Sequence, residues 1–522
     1  MSPIVMDRTL LISVRLARNV EPVQRAFVLE GYDGSRLNAS DTASHVLFLP
    51  FSISSHALCR LGNTSGPLAS PSSRSDSGCP LAYNLRRSST CTMEDTLEHG
   101  LLRPLIANSY TPKTLSMVRK TLESLRTHET LPIAHGLFAA SPVQSPDSTT
   151  GYQNVWVRDN VMVANSLLLR GDTASAASCI RGITQFFKKQ LPRFREIIDD
   201  PVRVLKEDAN RRPHIRFTAQ NLGELREKWP HAQNDALGHA LWFRFQLANV
   251  GALPLTPEDY EVYGVFPDYF DAIEYWQDRD SGAWEEGRKI NNSSVGAVVA
   301  GLEEMLKYHA ASDQPGNVVS INATRLERIR YLVAKGRERL DTALPFEAPP
   351  ERLVDSALLF LLYPLSVLRS RTIEDEILHL VQARLKGEVG IKRYVGDSYF
   401  CQDYDEWFSP SQMSSDFSER LDYRDAFLQP NCEAQWCIFD PVLSVIYGHR
   451  YLADPSDTAS FHKQVHYFNR SLSQVTAKGQ CPELYFLKEG RYVPNAHTPL
   501  AWAQANQALA LHLMEKSLRV TR

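Results

Sequence analysis

From about residue 112 onward, apolar residues recur every three or four positions, which is the spacing of amphipathic α-helices. Helix start signals support this pattern, as where Asp172 and Thr173 precede an apolar face. Strand signals are few and short, the sequence HIRF at 214–217 being an example, so the pattern predicts an all-α domain. The predicted helices lie near 112–127, 159–170, 172–191, 235–249, 257–276, 294–310, 323–341, 353–368, 372–386, 431–451, 457–475 and 499–517.

The segments richest in aromatic and charged residues all lead into even-numbered helices of this series. If consecutive helices run antiparallel, the loops that lead into alternate helices emerge at one end of the domain. A closed ring of twelve helices would gather these loops around one mouth, and function tends to collect on loops held by a rigid scaffold. The segments are VWVRDN (155–160), HAQND (231–235), GAWEEGRKINNSS (282–294), PFEAPPERL (345–353), IKRYVGDSYF (391–400) and PELYFLKEGRYVPNAHTPLAW (482–502).

Residues 1–92 differ from the rest of the chain. They contain no lysine, include the serine-rich run SPSSRSDSG and show no sustained helical period. Three interpretations fit: a disordered tail, an organelle transit peptide, or a mistaken start upstream of Met93. In each case the folded domain is predicted to span residues 93–522. The apolar stretch LLISV precedes Arg15 and Arg18 instead of following them, which is the wrong polarity for a secretory signal.

Net charge and hydropathy indicate which kinds of molecule the protein is expected to bind. A net charge of −3 gives no electrostatic reason to expect nucleic acid or an anionic membrane, so a neutral substrate is favoured. No apolar run reaches the roughly 18–20 residues of a membrane helix. The longest, near 357–368, is interrupted by Pro364 and fits a buried helix better.

The eight cysteines form no C-x-x-C pair and no histidine cluster accompanies them. This spacing argues against a zinc site or a disulfide framework and suits a reducing compartment. We therefore expect no metal and no cofactor, and a cytoplasmic location, or an organellar one if residues 1–92 act as a transit peptide.

Two carboxylates stand out as candidates for chemistry. Glu285 follows Trp284 in one loop, and Glu483 follows Pro482 in another. Desolvation beside an indole raises the pKa of a carboxylic acid, as a general acid requires, whereas a carboxylate across the pocket that stays ionised activates water. Each glutamate taken alone fits an ordinary surface loop equally well.

Aromatic residues lie in or beside the same loops: Trp156, Trp284, Tyr394, Trp436 and Trp502. Their flat apolar faces suit the C–H surfaces of sugar rings. Nearby charged groups can bind hydroxyls through directional hydrogen bonds, namely Arg158, Asp159 and Arg393. The alternative is that some of the tryptophans fill the core and that Arg158 and Asp159 form a structural ion pair at a helix start.

The ordered motifs resemble glycoside hydrolase family 15, the glucoamylase family. VWVRDN is similar to its W-x-R-D segment, AWEEG to its W-E-E acid motif and GIKRYVGD to its G-x-x-R-Y segment. PELYF with TPLAWAQ is similar to its P-E-Q…T-P-L-A-W segment. The matches run in family order over about 150–510. This resemblance implies an (α/α)6 barrel of about twelve helices.

A second resemblance is to the glucoamylase-like half of phosphorylase kinase α and β subunits. There H-x-[KR]-F…W-x-H-x-Q-x-D-A is similar to residues 214–217 and 229–236, and KINNSSVGAVVAGLE is similar to the helix start after the acid motif. These subunits are regulatory, so the resemblance allows a protein partner.

Carried over residue by residue, the family pattern makes Glu285 the general acid and Glu483 the general base. One departure is that Leu484 follows the base where the family has Gln, which changes the hydrogen bonding expected there. Asp235 lies in the HAQND loop without an assigned role. The family pattern gives the sugar-binding set as Trp156, Arg158, Asp159, Trp284, Glu286 and Arg393, to which the loop positions add Tyr394 and Trp502.

Two hypotheses follow. The first is an inverting exo-acting α-glucosidase that releases glucose from the non-reducing ends of α-glucans or α-glucosides. The second is a non-catalytic regulatory or carbohydrate-binding protein that keeps the barrel but works through partners. The two acidic positions and the Arg158–Asp159 pair favour the enzyme, and the similarity to kinase subunits favours the regulator.

Overall fold

The computed structural model describes residues 101–142, 151–208, 211–311 and 321–520. The expectations for residues 1–92 lie outside these segments. The α-helices, numbered in chain order, are α1 Pro112–Ser124, α2 Val157–Leu169, α3 Thr173–Asp199, α4 Pro201–Glu207, α5 Asn234–Asn249, α6 Pro257–Tyr263, α7 Val265–Ala272, α8 Asn292–Ala311, α9 Ala323–Ala343, α10 Leu359–Leu362, α11 Arg371–Arg384, α12 Tyr404–Trp407, α13 Leu421–Asp425, α14 Phe439–Ala453, α15 Thr458–Ser473 and α16 Ala501–Val520.

Six helices form a closed inner ring. Helix α2 packs against α5, α5 against α8, α8 against α10, α10 against α14, α14 against α16, and α16 returns to α2. The helices α1, α3, α9, α11 and α15 pack around this ring from outside, and α7 completes the outer layer between α3 and α9. The architecture is therefore the (α/α)6 barrel that the sequence predicted.

Burial follows from position in the barrel. The inner helices α2, α5 and α14 are buried around most of their circumference, whereas the outer helices α3 and α15 bury one face. The start signal of α3 is confirmed, because the Asp172 side chain accepts a hydrogen bond of 3.0 Å from the Ser175 backbone N–H. No described helix is both long enough and apolar enough to cross a membrane.

The fourth inner helix is much shorter than the predicted 353–368. The chain makes a 3₁₀ turn over Ser356–Leu358 and continues only to the end of α10. Proline at 364 supplies no N–H and disfavours helical geometry at the residue before it. Tyr363 accordingly leaves the helix in an extended conformation.

Three further helices also differ clearly from their predicted bounds. The helix predicted over 172–191 continues to Asp199, with Pro192 inside it. The helix predicted over 257–276 is divided at Gly264 into α6 and α7. The helix predicted over 431–451 begins only at Phe439, because the residues before it belong to a strand.

Two small antiparallel sheets join the inner helices near one end of the barrel. The first has the order β1-β2-β3, with Val157 of α2 following β1 directly, and the second has the order β4-β5-β6. Only the HIRF strand was predicted, and β2 contains part of it. The strands are β1 Val155–Trp156, β2 Arg216–Thr218, β3 Gly223–Glu224, β4 Gln435–Trp436, β5 Leu484–Lys488 and β6 Arg491–Pro494.

The β5–β6 hairpin lies in a segment that the sequence pattern placed in a loop. Its two turn residues both have positive φ, 49° at Glu489 and 77° at Gly490. Such turns normally carry Asn or Asp before the glycine, so glutamate gives a weak hairpin signal. In the sheet, Leu484 lies opposite Trp436, which fixes the position of the preceding residue, Glu483.

Candidate active site

A pocket opens at the end of the ring where the loops into the inner helices meet. The empty space within it, including the open mouth, is about 830 Å³. Four of the six predicted segments line it directly, and 231–235 and 345–353 supply side chains that hold lining residues. Of the predicted site residues, the lining includes Trp156, Arg158, Asp159, Trp284, Glu285, Glu286, Arg393, Glu483 and Trp502.

Glu285 follows a 3₁₀ turn over Gly282–Trp284 and has the left-handed backbone angles φ 59° and ψ 41°. A non-glycine residue in this region costs about 1 kcal/mol or more, and such strain concentrates at functional sites. Burial raises the pKa of the Glu285 carboxyl, and the positive charges of Arg158 and Arg216 oppose that rise without cancelling it. The group is therefore suited to hold a proton and deliver it into the pocket.

Arg158 lies in the first turn of α2 and is almost fully buried. Its guanidinium donates to Asp235 Oδ2 at 2.9 Å and to Gln233 Oε1 at 3.0 Å, and Nη2 lies 3.5 Å from Glu285 Oε1. Asp235, which sequence reasoning left without a role, therefore holds Arg158 in place beside the candidate acid.

Asp159 is half-buried in the pocket wall. Burial raises the pKa of its carboxyl to about 7, Arg158 opposes the shift, and repulsion from Glu285 and Glu483 adds to it. Asp159 thus interacts electrostatically with both candidate catalytic carboxylates.

Glu286 is surrounded by cations. It accepts hydrogen bonds from Arg393 at 2.8 Å, from Arg424 at 2.7 Å and from Arg352 at 3.2 Å. Burial alone would raise the pKa of Glu286, but the three guanidiniums hold it well below its usual range. This carboxylate is fixed in its ionised form.

Tyr394 is the predicted site residue that does not line the pocket. Its hydroxyl donates to Glu286 Oε2 at 2.6 Å, and its ring lies 3.3 Å from the guanidinium carbon of Arg352. Its polar end points at Glu286, so its contact with substrate stays a prediction. Arg393 does line the pocket, but it also pairs with both carboxylate oxygens of Asp397, at 2.7 and 2.6 Å.

Glu483 precedes strand β5 and is 3% exposed. Its Oε1 accepts from the Tyr152 hydroxyl at 2.8 Å, and its Oε2 accepts from Asn495 Nδ2 at 2.5 Å and contacts His497 Nδ1 at 2.9 Å. Leu484, which follows it, points into the core and is fully buried. The hydrogen bonding at the candidate base therefore comes from Tyr152 and from two residues that follow the hairpin, and not from its neighbour in sequence.

The tryptophans of the pocket differ in whether their indole N–H groups have a hydrogen-bond partner. Trp284 donates to Asp355 Oδ1 at 2.8 Å. The buried N–H groups of Trp229, Trp436 and Trp502 have no hydrogen-bond partner among the described residues. An unpaired buried donor carries a free-energy cost.

Several pocket residues escaped the sequence analysis. Tyr152 and Tyr399 line the pocket, although neither was singled out as a site residue. Arg216 of strand β2 does not line the pocket but lies between the rings of two residues that do, Trp156 and Trp229, at 4.8 and 4.0 Å from their centroids. The pocket is also lined by residues 414–418, which lie in a polar stretch without a helical period that gave no signal. No group of three or more metal-binding side chains is found within the described segments.

Comparisons with known proteins agree with this geometry. The model for glycosyl hydrolases family 15 matches residues 114–418, more than half of the chain. A Drosophila melanogaster protein named "Probable phosphorylase b kinase regulatory subunit alpha" is 23% identical over 327 residues, which cover 58% of this chain and 24% of that protein. Both resemblances seen in the motifs are thereby confirmed, and this chain spans about a quarter of that relative's length.

Solved structures show the same fold. A wild-type glycosidase aligns with a TM-score of 0.57 at 17% identity, covering 78% of this chain and 99% of its own. The glucoamylase from Saccharomycopsis fibuligera aligns with a TM-score of 0.53 at 13% identity, covering 79% of this chain and 97% of its own. At such low identity these likenesses bear on the fold alone.

Proposed function

The chain belongs to glycosyl hydrolases family 15, and from this membership we propose that it is an inverting, exo-acting α-glucoside hydrolase. It releases glucose from the non-reducing ends of α-glucans or α-glucosides. The observation that carries the proposal is that Glu285, with a raised pKa, and Glu483, held by three neighbours, line one pocket.

In this mechanism the Glu285 carboxylic acid protonates the glycosidic oxygen as the bond to the anomeric carbon breaks. Water attacks that carbon from the opposite face, and the Glu483 carboxylate takes the proton that the water loses. The leaving sugar departs as a neutral alcohol, and the released glucose has the inverted β configuration. The two carboxyl groups need a separation of roughly 6.5–9.5 Å so that the water fits between them.

The surrounding side chains suit a neutral polyhydroxylated ligand. Arg158 and Asp159 offer a charged donor and acceptor at the pocket wall, and the side chains of Trp229, Trp436 and Trp502 line it. The aromatic faces contact the C–H surfaces of the ring.

The test is to incubate the protein with maltose, isomaltose, trehalose and soluble starch while following the anomer of released glucose by NMR. We expect β-glucose to appear first. Glu285→Gln removes the proton donor with little change in shape, so the rate should fall by roughly 10²–10⁴-fold or more while binding of maltose changes little. Glu483→Gln should act similarly, since it disables activation of water. As a control, Glu376→Gln on the exposed face of α11 should match the wild type.

A second candidate function is favoured by the similarity to a regulatory subunit. In that case the barrel binds an α-glucan or α-glucoside as a signal and transmits it to a protein partner. The same experiment separates the two. Calorimetric binding of maltose or isomaltose without glucose release above the Glu285→Gln background supports the regulator and overturns the enzyme proposal.

A further inference from the structure

A histidine behind the candidate base connects that base to the pocket wall opposite. His497 Nδ1 lies 2.9 Å from Glu483 Oε2, and its Nε2 lies 3.2 Å from the hydroxyl oxygen of Ser414. Ser414 lines the pocket, in a stretch where the sequence pattern indicated no site residue. We propose that His497 is a positioning residue that aims the Glu483 carboxylate and couples it to residues 414–418. This inference rests on the proposed function.

The histidine ring is held firmly on its faces. It is 1% exposed. The ring of Tyr152 stacks on it at 3.5 Å between centroids and 8° between planes, and Phe400 meets it edge-on at 5.7 Å. A ring confined in this way keeps its orientation. Its Nδ1 faces Glu483 Oε2 and also lies 3.2 Å from Asn495 Nδ2, a second donor to the same carboxylate oxygen, and its Nε2 faces Ser414.

The partners decide which nitrogen carries the hydrogen. An ionised carboxylate only accepts hydrogen bonds, so the hydrogen lies on His497 Nδ1 and points at Glu483. Nε2 is then an acceptor, and the Ser414 hydroxyl donates to it. The order of donation therefore runs from Ser414 through His497 to Glu483.

This order has a consequence for the reaction. Tyr152 occupies Oε1 of Glu483, while Asn495 and His497 share Oε2, so the carboxylate plane is set by three contacts. A sugar that contacts residues 414–418 acts on the same chain of hydrogen bonds. Misplacement of a reacting group by about 1 Å can cost roughly 10²-fold in rate, so loss of His497 should lower kcat much more than it raises KM.

Two substitutions of His497 by amide side chains distinguish the role of Nδ1 from that of Nε2. The amide nitrogen of Asn can replace Nδ1, and the amide of Gln reaches the position of Nε2. His497→Gln keeps the contact with Ser414 but loses the donor to Glu483, and we expect kcat to fall by roughly 10- to 10²-fold with KM little changed. His497→Asn should recover most of kcat. Ser414→Ala, which leaves the buried ring in place, should lower kcat by a smaller factor.

A matched control is His309→Gln, since His309 is buried on α8 among Phe245, Tyr260 and Tyr308 and does not line the pocket. Its kcat should equal that of the wild type. Equal losses in His497→Gln and His497→Asn, or no loss in His497→Gln, would overturn the inference. All variants are compared at equal folded fraction, judged by melting curves.

A readout without turnover is the tautomer of His497. Long-range ¹H–¹⁵N correlation on protein labelled at histidine, with the signal assigned by its loss in His497→Asn, should show the hydrogen on Nδ1. A hydrogen on Nε2 overturns the inference while leaving glucose release intact. If the wild type releases no glucose, both the proposed function and this inference are wrong. If Glu483→Gln is inactive but His497→Gln is fully active, only the inference is wrong.

Discussion

At Glu285, burial and charge act on the same proton in opposite directions. Burial favours the neutral acid, whereas Arg158 and Arg216 favour the carboxylate. The position of the nearer guanidinium is fixed by Asp235 and Gln233. A small set of buried residues thus tunes the pH at which the candidate acid loses its proton.

The first prediction concerns Arg158→Gln. Removal of the positive charge raises the pKa of Glu285 further, so the acid stays protonated to higher pH. Activity is lost when the proton is lost, so the alkaline limb of kcat/KM against pH should move to higher pH. KM should rise as well, because a charged donor to the sugar is removed.

The control for this prediction is Arg328→Gln, which breaks an ion pair with Asp271 away from the pocket. Its pH profile should coincide with that of the wild type. An alkaline limb that stays in place in Arg158→Gln would mean that a group other than Glu285 sets it.

The sequence identified the two candidate catalytic residues but not the residues that hold the candidate base. Glu285 and Glu483 were found because each lies in a short motif beside an aromatic residue or a proline. His497 and Asn495 were not, because their contact with Glu483 depends on the β5–β6 hairpin, which returns the chain to the base. A contact that forms because a hairpin reverses the chain does not produce a regular spacing of residue types in the sequence.

At the scale of elements, the inner ring depends on close approach between helices. A Cβ added to Gly238 of α5 would lie 2.5 Å from the backbone carbon of Ala297 and 2.6 Å from the backbone nitrogen of Val298, both in α8. Backbone atoms cannot rotate away as side chains do. Glycine at 238 therefore sets the distance between two inner helices.

We predict that Gly238→Ala lowers the free energy of unfolding by roughly 1–3 kcal/mol, the usual cost of overpacking a core. Alanine in place of glycine stabilises a helix interior by at most about 1 kcal/mol, which does not offset this loss. Denaturant unfolding measures it. Gly296→Ala is the comparison, since the added methyl meets only the end of the Leu361 side chain, and its loss should be smaller. A Gly238→Ala variant as stable as the wild type would contradict this account.

The length of each element was predicted well where the helical period is uninterrupted, as in α2, α5 and α9. The predicted length was wrong where a proline or strand pairing interrupts a helix although the spacing of apolar residues continues. Pro364 ends α10 early, and pairing of β4 with β5 delays the start of α14. These constraints depend on hydrogen bonding that hydrophobic periodicity does not report.

At the scale of the whole molecule, the prediction for residues 1–92 remains a prediction from their composition. Serine-rich, lysine-free sequence without helical period is not expected to contribute to the barrel core. A chain that starts at Met93 should therefore melt at the same temperature as the full chain, as followed by circular dichroism. A fall of several degrees would count against this expectation.

The closed ring could be predicted because helix order and loop chemistry agree, each unusual segment leading into an inner helix. The segment between Phe400 and Phe439 could not be predicted, because it consists of short helices and turns without a sustained period, some of which line the pocket. Its position depends on particular long-range contacts, such as those of Ser414 and Arg424.

Glu286 draws together loops that are distant along the chain. Arg352, Arg393 and Arg424 approach it from three separate segments, and each would lose a buried partner if its segment moved away alone. Breaking a buried ion pair by removing one partner costs about 3–5 kcal/mol. Displacing any one of these segments therefore removes a cation from the carboxylate that the other two also contact, so Glu286 couples the three segments energetically.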